Sequence, residues 1–267
     1  MQEKGILYLV STPVGNLKDI TYRAIDILKS VDLIFCEDTR VTIKLLNHFE
    51  IKNKLSALHK FNELKKVEEL KYRLDNGENL ALVSDAGTPL LSDPGIFIVP
   101  ELLKAGYKIV PIPGASAILP AIQLSGLVTK EFLFLGFLPE SNKEINLLFD
   151  KLINLEYPIF FYMSPHKVEK TLTHFKNYFG DINMIILREL TKKFEERIED
   201  KISKLIKRDY RGELVVGFNP PKKEKNYDID KLIEKYKNAK FSNKDISKII
   251  SLQTGIKKKE IYQILIK

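Results

Sequence analysis

Short apolar runs, each ending in a loop of small and polar residues, restrict this chain's fold more than any other feature. GILYLV (Gly5 to Val10) leads into Ser11 to Leu17, which holds Pro13 and Gly15. Val31 to Cys36 leads into Glu37 to Arg40, LALV (Leu80 to Val83) into SDAGTP (Ser84 to Pro89), and Lys108 to Pro111 into Pro113 to Ala117. These runs have strand length, too short for buried helices. Between them lie segments with helical spacing, such as Ile20 to Ser30 with Ala24, Ile25 and Leu28 on one face. Asp93-Pro94 predicts a helix start, because Asp can cap the first amides and Pro fits the first helical position. Pro100 should then bend or shorten that helix. Strands alternating with helices predict an α/β layer with a mostly parallel sheet.

The pattern restarts after Thr129. Glu131 to Leu138, Pro158 to Met163, Met184 to Leu187 and Glu213 to Phe218 read as further strands, with a helix after Pro165. The boundary falls within 113–130. Placed at 115, it gives an N-terminal α/β domain (1–115), a C-terminal α/β domain (116–221) and a tail (222–267). Pro220-Pro221 closes the second unit. In the tail, Ser242 with Asp245 resembles a capping box. Ile246, Ile249 and Ile250 mark one apolar face, Gly255 a break, and Ile256, Ile261, Ile264 and Leu265 a second face. Two short helices around a glycine turn predict a helix-turn-helix-like hairpin, which serves either packing or nucleic-acid contact. The predicted fold class is α/β, with two α/β domains around a cleft and a small C-terminal helical segment.

With 267 residues, 44% hydrophobic and 29% charged, the chain has the profile of a globular protein. Cys36 is its only cysteine, so no internal disulfide can form and a reducing, cytoplasmic compartment is expected. Gly5 to Val10 is too short for a signal segment, and no run approaches the roughly 20 apolar residues of a membrane span, so no membrane is expected among the partners. Charge is unevenly placed. Residues 222–267 hold 13 Lys against 6 Asp and Glu, which is +7 of the total +8. A basic tail on a nearly neutral body points either to phosphate-rich partners or to a lysine-rich solvated surface.

Ligands of open α/β sheets bind beyond the carboxyl ends of the strands. Four loops leave such ends here: 11–17, 37–40, 84–89 and 113–117. Each alone reads as an ordinary turn. Four at one rim predict a cradle in which exposed backbone groups hold a small polar molecule. The first strand lacks a G-x-G-x-x-G sequel, and there is neither a P-loop nor H-E-x-x-H. One cysteine and four scattered histidines provide no zinc site, and no metal is expected. Charged groups cluster at Glu37-Asp38-Thr39-Arg40, at His59, Asn62 and Glu63, and at Arg188, Glu189, Thr191 and Lys192. Each set could form surface ion pairs of little worth, but those directly after strands face the expected cleft.

The strings STPVGNLKDIT, CEDTR, LHKFNE, ALVSDAGTPLLSDPG, PIPGASA, FLGFLP, SPHK, LRELTK and RGE occur in this order. Together they resemble the ribosomal RNA small subunit methyltransferase I family of the tetrapyrrole methylase superfamily, from about Gly5 to Phe218. The resemblance implies a homodimer with S-adenosylmethionine in the cleft. It implies as acceptor the ribose 2′-hydroxyl of a cytidine in the decoding region of bacterial small-subunit rRNA, within the assembled small ribosomal subunit. By motif, the cofactor residues are Pro13, Val14 and Gly15; Asp85, Ala86, Gly87 and Thr88; Gly114, Ala115, Ser116 and Ala117; and Tyr162 and Met163. The family usually has an acidic residue where Met163 stands. A thioether accepts only weak hydrogen bonds, although it can pack against adenine or the sulfonium carbons. Near the chemistry the candidates are Glu189, Lys192, Glu37 and Asp38, with Arg40, His59, Asn62, Glu63 and Arg188 on the substrate side. Rival readings are methylation of a tetrapyrrole carbon, opposed by PVGNL in place of a G-x-G-P-G-D-P-like loop; methylation of a protein side chain, opposed by EDTR and RELTK; and a non-catalytic RNA-binding module.

Overall fold

A computed structural model describes residues 3–59, 62–93, 95–127, 130–221 and 228–266. The chain divides into two units, residues 1–221 and 222–267. The first unit contains two five-stranded sheets.

The first sheet is built from β1 (Ile6–Val10), β2 (Leu33–Cys36), β3 (Leu55–Ala57), β4 (Leu80–Val83) and β5 (Lys108–Ile112). Its order is β3-β2-β4-β1-β5 and every pairing is parallel. β2 and β4 are buried at every position, which is why they read as unbroken apolar runs rather than alternating ones. One face packs Leu7, Phe35, Leu80 and Leu82 against α3 (Glu63–Asp75) and α4 (Ile98–Lys104). The other packs Val10, Ile34 and Val83 against α1 (Tyr22–Ser30) and α2 (Thr39–His48). Since all strands run the same way, the loops after β1, β2, β4 and β5 leave one rim.

The helix expected at Asp93-Pro94 begins instead at Ile98, and Pro94 lies outside the described residues. Pro100 therefore falls in the first turn of α4, where a missing N–H costs no intrahelical bond. The carboxylate of Glu63 supplies acceptors in front of this helix. It takes the amides of Gly95 and Phe97 at 3.0 and 3.3 Å.

After β5, α5 (Ile118–Ser125) crosses to the second sheet and covers one of its faces through Ile118 and Ala121. That sheet contains β6 (Leu133–Phe137), β7 (Ile159–Met163), β8 (Asn183–Arg188), β9 (Glu196–Lys201) and β10 (Leu214–Phe218), in the order β6-β7-β10-β8-β9. Only β6 and β7 are parallel; the other pairings are antiparallel. Its opposite face holds an aromatic core of Phe149, Phe161, Phe175 and Phe218 under α6 (Asn142–Leu152), α7 (Val168–Phe179) and α8 (Ile202–Leu205).

Among its described residues the second unit forms three helices rather than the two expected: α9 (Ile229–Asn238), α10 (Asn243–Thr254) and α11 (Lys258–Leu265). The predicted Ser242 cap is present, with its hydroxyl accepting from the Asp245 amide at 3.2 Å. Gly255 ends α10 at φ +74°, the left-handed conformation that glycine adopts without strain. Ile233, Ile246, Ile250, Ile261 and Leu265 form this unit's own core. Among the described residues, no helix is long and apolar enough to cross a membrane.

Candidate active site

The rim loops of the first sheet are knitted together mainly by backbone and hydroxyl groups. Thr12 and Gly87 exchange two backbone hydrogen bonds of 2.8 and 2.9 Å. The Thr12 hydroxyl donates to the Ser84 carbonyl at 3.2 Å. Ser11 Oγ donates to Thr88 Oγ1 at 3.2 Å, and Thr88 Oγ1 donates to the Ala115 carbonyl at 3.0 Å. The loops after β1, β4 and β5 are thus one assembly. Gly87 (φ +81°) leaves only 3.2 Å between an added Cβ and Val14 Cγ1. The loop after β2 joins through the Asp38 amide, which donates to Asp85 Oδ1 at 3.0 Å.

A cavity of about 390 Å³ separates this assembly from the second sheet. Of the expected cofactor residues, Val14, Asp85, Ala86, Gly87, Thr88, Ser116, Ala117, Tyr162 and Met163 line it. Pro13, Gly15, Gly114 and Ala115 belong to the same loops but not to its lining. Leu91, Ser92, Asp93, Phe137, Ser164, Pro165 and Gly212 to Val215 also line it; Ser164 and Pro165 directly follow β7, whereas strand-end reasoning does not point to Gly212 to Val215. The rule used for the parallel sheet cannot find residues 212–215. Leu214 pairs with Met163 in antiparallel register, so the start of β10 lies where β7 ends. The informative signal is the RGE string directly before an apolar run.

Among the described residues the lining includes three carboxylates, Asp85, Asp93 and Glu213, and no Lys, Arg or His. Burial pushes the Asp85 carboxyl up, an effect only partly offset by the hydrogen bond from the Asp38 amide. The Tyr162 phenol is pushed up to about 12 by burial and by the charges of Asp93 and Glu213. It stays neutral and contributes an aromatic wall with Phe134 and Phe137, whose ring centroids are 4.9 and 5.4 Å away. Met163 is 4% exposed and offers its side chain to both cavity and core. On this side of the cleft the acid comes from Glu213, next to Met163's strand partner. An acidic, aromatic-walled cavity of this kind suits a ligand that carries positive charge.

Glu189 and Lys192 come together at the edge of the cleft. Lys192 Nζ donates to Glu189 Oε1 at 2.9 Å and to Glu213 Oε2 at 3.2 Å. Glu189 Oε1 also accepts from the Glu213 amide at 2.9 Å, while the Glu189 amide donates to the Glu213 carbonyl at 2.9 Å. Gly212 (φ +82°) is required here, since an added Cβ would fall 2.2 Å from Glu189 Oε1. A Cβ at Gly15 would fall 2.3 Å from Lys192 Cγ, so the first-sheet rim touches this cluster directly. Burial works against the charge of Lys192, but its bonds to Glu189 and Glu213 outweigh that and raise its pKa. Burial likewise works against the Glu189 carboxylate, yet the Glu213 amide and Lys192 hold its pKa below the usual value. Lys192 is therefore a cation that can steady negative charge, and Glu189 is an occupied carboxylate rather than a free base.

The remaining expected residues do not line the cavity. Asp38 caps α2 and takes the Arg40 guanidinium at 2.6 Å, which holds its carboxyl down to about 2 and leaves it a poor base. Glu37 is half-buried beside it. Asn62 shapes the turn before α3, accepting from the exposed His59's amide at 2.9 Å and donating to the Ala57 carbonyl at 3.2 Å. Glu63 is 4% exposed and engaged with the backbone ahead of α4, so a solvent-borne substrate does not reach it. Arg188 lines a separate hollow.

Residues 6–206 match the family described as Tetrapyrrole (Corrin/Porphyrin) Methylases. The chain belongs to the tetrapyrrole methylases. Within that family it groups with proteins named ribosomal RNA small subunit methyltransferase I. The one from Halalkalibacterium halodurans is 38% identical, with 98% of this chain and 95% of the relative covered. The one from Bacillus subtilis is 39% identical, with 97% and 94% covered. Uroporphyrin-III C-methyl transferase from Thermus thermophilus, solved in complex with S-adenyl homocysteine, superposes with a TM-score of 0.57 at 15% identity, over 80% of this chain and 97% of that one. The tetrapyrrole methylase fold thus extends over the two sheets that bound the cavity.

Proposed function

We propose that this tetrapyrrole methylase transfers a methyl group from S-adenosylmethionine to the ribose 2′-hydroxyl of a cytidine in the decoding region of small-subunit rRNA. In this reading it acts in the bacterial cytoplasm, as a homodimer, on the assembled small subunit. The relatives' shared name supports rRNA of the small subunit as substrate. The observation that carries the cofactor assignment is the cleft itself, lined by three carboxylates and, among the described residues, no basic group. S-adenosylmethionine bears a sulfonium and an ammonium, which Asp85, Asp93 and Glu213 would attract, while Tyr162, Phe137 and Met163 would take its apolar parts.

When bound, the cofactor supplies an electrophilic methyl group. The chain's part is alignment and charge. The loops at Val14 and Gly87 are fixed to each other before any ligand arrives, so little order has to be created at the moment of reaction. Lys192, held by Glu189 and Glu213, uses two of its ammonium's three donors. The third is available to the acceptor oxygen, which gains negative charge as its proton passes to solvent water. Neither Lys192 nor Asp38 is poised to take that proton at neutral pH, given the direction of their shifts.

Methylation of small subunits followed by mapping of the modified nucleotide tests the reading. A 2′-O-methylated cytidine in the decoding region supports it, and modification of a porphyrin precursor in its place overturns it. Lys192→Ala should lower single-turnover methylation by about a hundredfold, the lower end of the range for removal of one transition-state donor, while calorimetry shows near-normal cofactor affinity. An unchanged rate would remove Lys192 from the mechanism.

A further inference from the structure

A second hollow, of about 360 Å³, is lined by Arg188, Arg208 and Arg211 together with Glu196, Asp209 and Tyr210. It adjoins the cleft through the chain itself. Arg211 lines the hollow and Gly212 lines the cleft, and consecutive Cα atoms are only about 3.8 Å apart. Arg188 is the strand partner of Leu214, which also lines the cleft. The two cavities therefore differ in charge across one peptide step: among the described residues, three carboxylates and no base line the cleft, whereas three guanidiniums outnumber two carboxylates in the hollow.

The guanidiniums are held unequally. Arg188 Nε donates to Glu196 Oε2 at 3.1 Å, and among the described residues its terminal nitrogens make no hydrogen bond. Arg208 lies 3.8 Å from the other oxygen of Glu196. Arg211 and Asp209 are 3.9 Å apart with side chains 89% and 86% exposed, a loose pair that contributes little. Tyr210 is buried and its hydroxyl is committed to the Leu205 carbonyl at 3.1 Å, so it forms a floor and leaves recognition to the arginines. Glu196 positions two forks whose free edges remain available, and Arg211 can swing to meet a ligand. Guanidinium forks match phosphate oxygens in pairs.

We infer that this hollow grips a backbone phosphate of the RNA strand whose target nucleoside enters the cleft. The inference rests on the proposed RNA substrate. It adds the place where the strand is held, and it names Arg208 and Arg211 as binding residues.

The test is the affinity of a single-stranded oligoribonucleotide, measured across a salt series, for the wild type, Arg208→Ala, Arg211→Ala and the double variant. Calorimetry with S-adenosylhomocysteine and a thermal melt on each protein establish that fold and cleft are intact. Each phosphate that is no longer neutralised should reduce the slope of log affinity against log salt by about 0.7. The double variant should bind RNA several-fold more weakly at low salt, with cofactor affinity unchanged. Equal slopes in wild type and double variant overturn the phosphate site and leave the methyltransferase reading standing. A wild type whose RNA affinity does not respond to salt overturns the phosphate site alone, and one that binds cofactor but neither the oligonucleotide nor the small subunit overturns both.

Discussion

The two walls of the cleft use different means to the same end. On the first-sheet side, parallel strands deliver four loops to one rim, and each of the bonds that tie them has a main-chain partner: Thr12 with Gly87 backbone to backbone, the Thr88 hydroxyl with the Ala115 carbonyl, the Asp38 amide with the Asp85 carboxylate. On the second-sheet side the strands are mostly antiparallel, and side chains do the joining, through Lys192, Glu189 and Glu213. The backbone is strained on both sides, with Leu90 and Ser92 at φ +74° and +76° after β4 and Glu189 and Thr191 at φ +51° and +65° after β8, conformations that cost non-glycine residues about 1–2 kcal/mol. A wall of backbone groups suits a ligand that never changes. A wall of charged side chains can be re-specified by substitution, which suits the part of the site that selects the acceptor. The comparison makes opposite demands on mutants of the two sides.

The largest effect should come from crowding the backbone wall. Gly87→Ala places a Cβ 3.2 Å from Val14 Cγ1 at φ +81°. It should lower stability by about 1–2 kcal/mol and weaken cofactor binding more than tenfold, read by thermal melting and calorimetry. Gly106→Ala is the control. It has nearly the same backbone angle, φ +78°, with nothing within 4 Å of the new Cβ, so it should lose stability and keep its cofactor affinity. If both variants lost affinity alike, close approach at Gly87 would not be what shapes the wall.

A middle-sized effect is expected at Asp85, the acid of the backbone wall. Burial raises its pKa, so as pH falls the carboxylate is neutralised sooner than an exposed aspartate would be. Affinity for a cationic cofactor should therefore drop at a higher pH than an ordinary carboxylate predicts, and Asp85→Asn should be several-fold weaker at neutral pH with a flatter profile. Stability should move the opposite way. A carboxyl whose folded pKa lies above its unfolded value costs stability once pH exceeds the unfolded value, and the cost disappears in acid. Asp85→Asn should then melt no lower than the wild type at neutral pH. A lower melting temperature together with unchanged affinity would make Asp85 a structural group.

What the sequence disclosed follows the same division. The buried strands of the parallel sheet are plain in LALV and GILYLV, because a strand covered on both faces has no polar positions to confuse the pattern. The loops of that rim are legible because a parallel sheet sends its functional loops from strand ends only. The second sheet obeys neither rule. β9 is ERIEDK, with five charged residues of six and Ile198 alone turned inward; as an edge strand it carries the charges that discourage pairing with another chain, and so it reads as a loop. β3, an edge strand of the first sheet, escapes notice for another reason: it has only three residues. Glu213 precedes its strand, so strand-end reasoning passes over it, although antiparallel pairing brings it to the cleft. Glu63 reads as a site residue because a carboxylate beside His59 and Asn62 gives no sign of the amides of Gly95 and Phe97, some thirty residues away, that bury it.

The smallest effect concerns neither wall but the second unit. If the side-chain wall and its neighbouring arginines hold the acceptor strand, the basic tail should add long-range attraction without deciding which nucleotide reacts. Lys257, Lys258 and Lys259 are exposed at the start of α11, and Ile233, Ile246, Ile250, Ile261 and Leu265 pack among themselves. Deleting residues 222–267 should leave cofactor affinity unchanged and weaken RNA binding most at low salt. If these three lysines each neutralise one phosphate, the salt slope should flatten by about 2, at roughly 0.7 per phosphate on a single strand. The mapped nucleotide should stay the same in the truncated protein. A changed methylation site would move selection from the cleft to the tail, and an unchanged slope would leave the lysines as solvated surface.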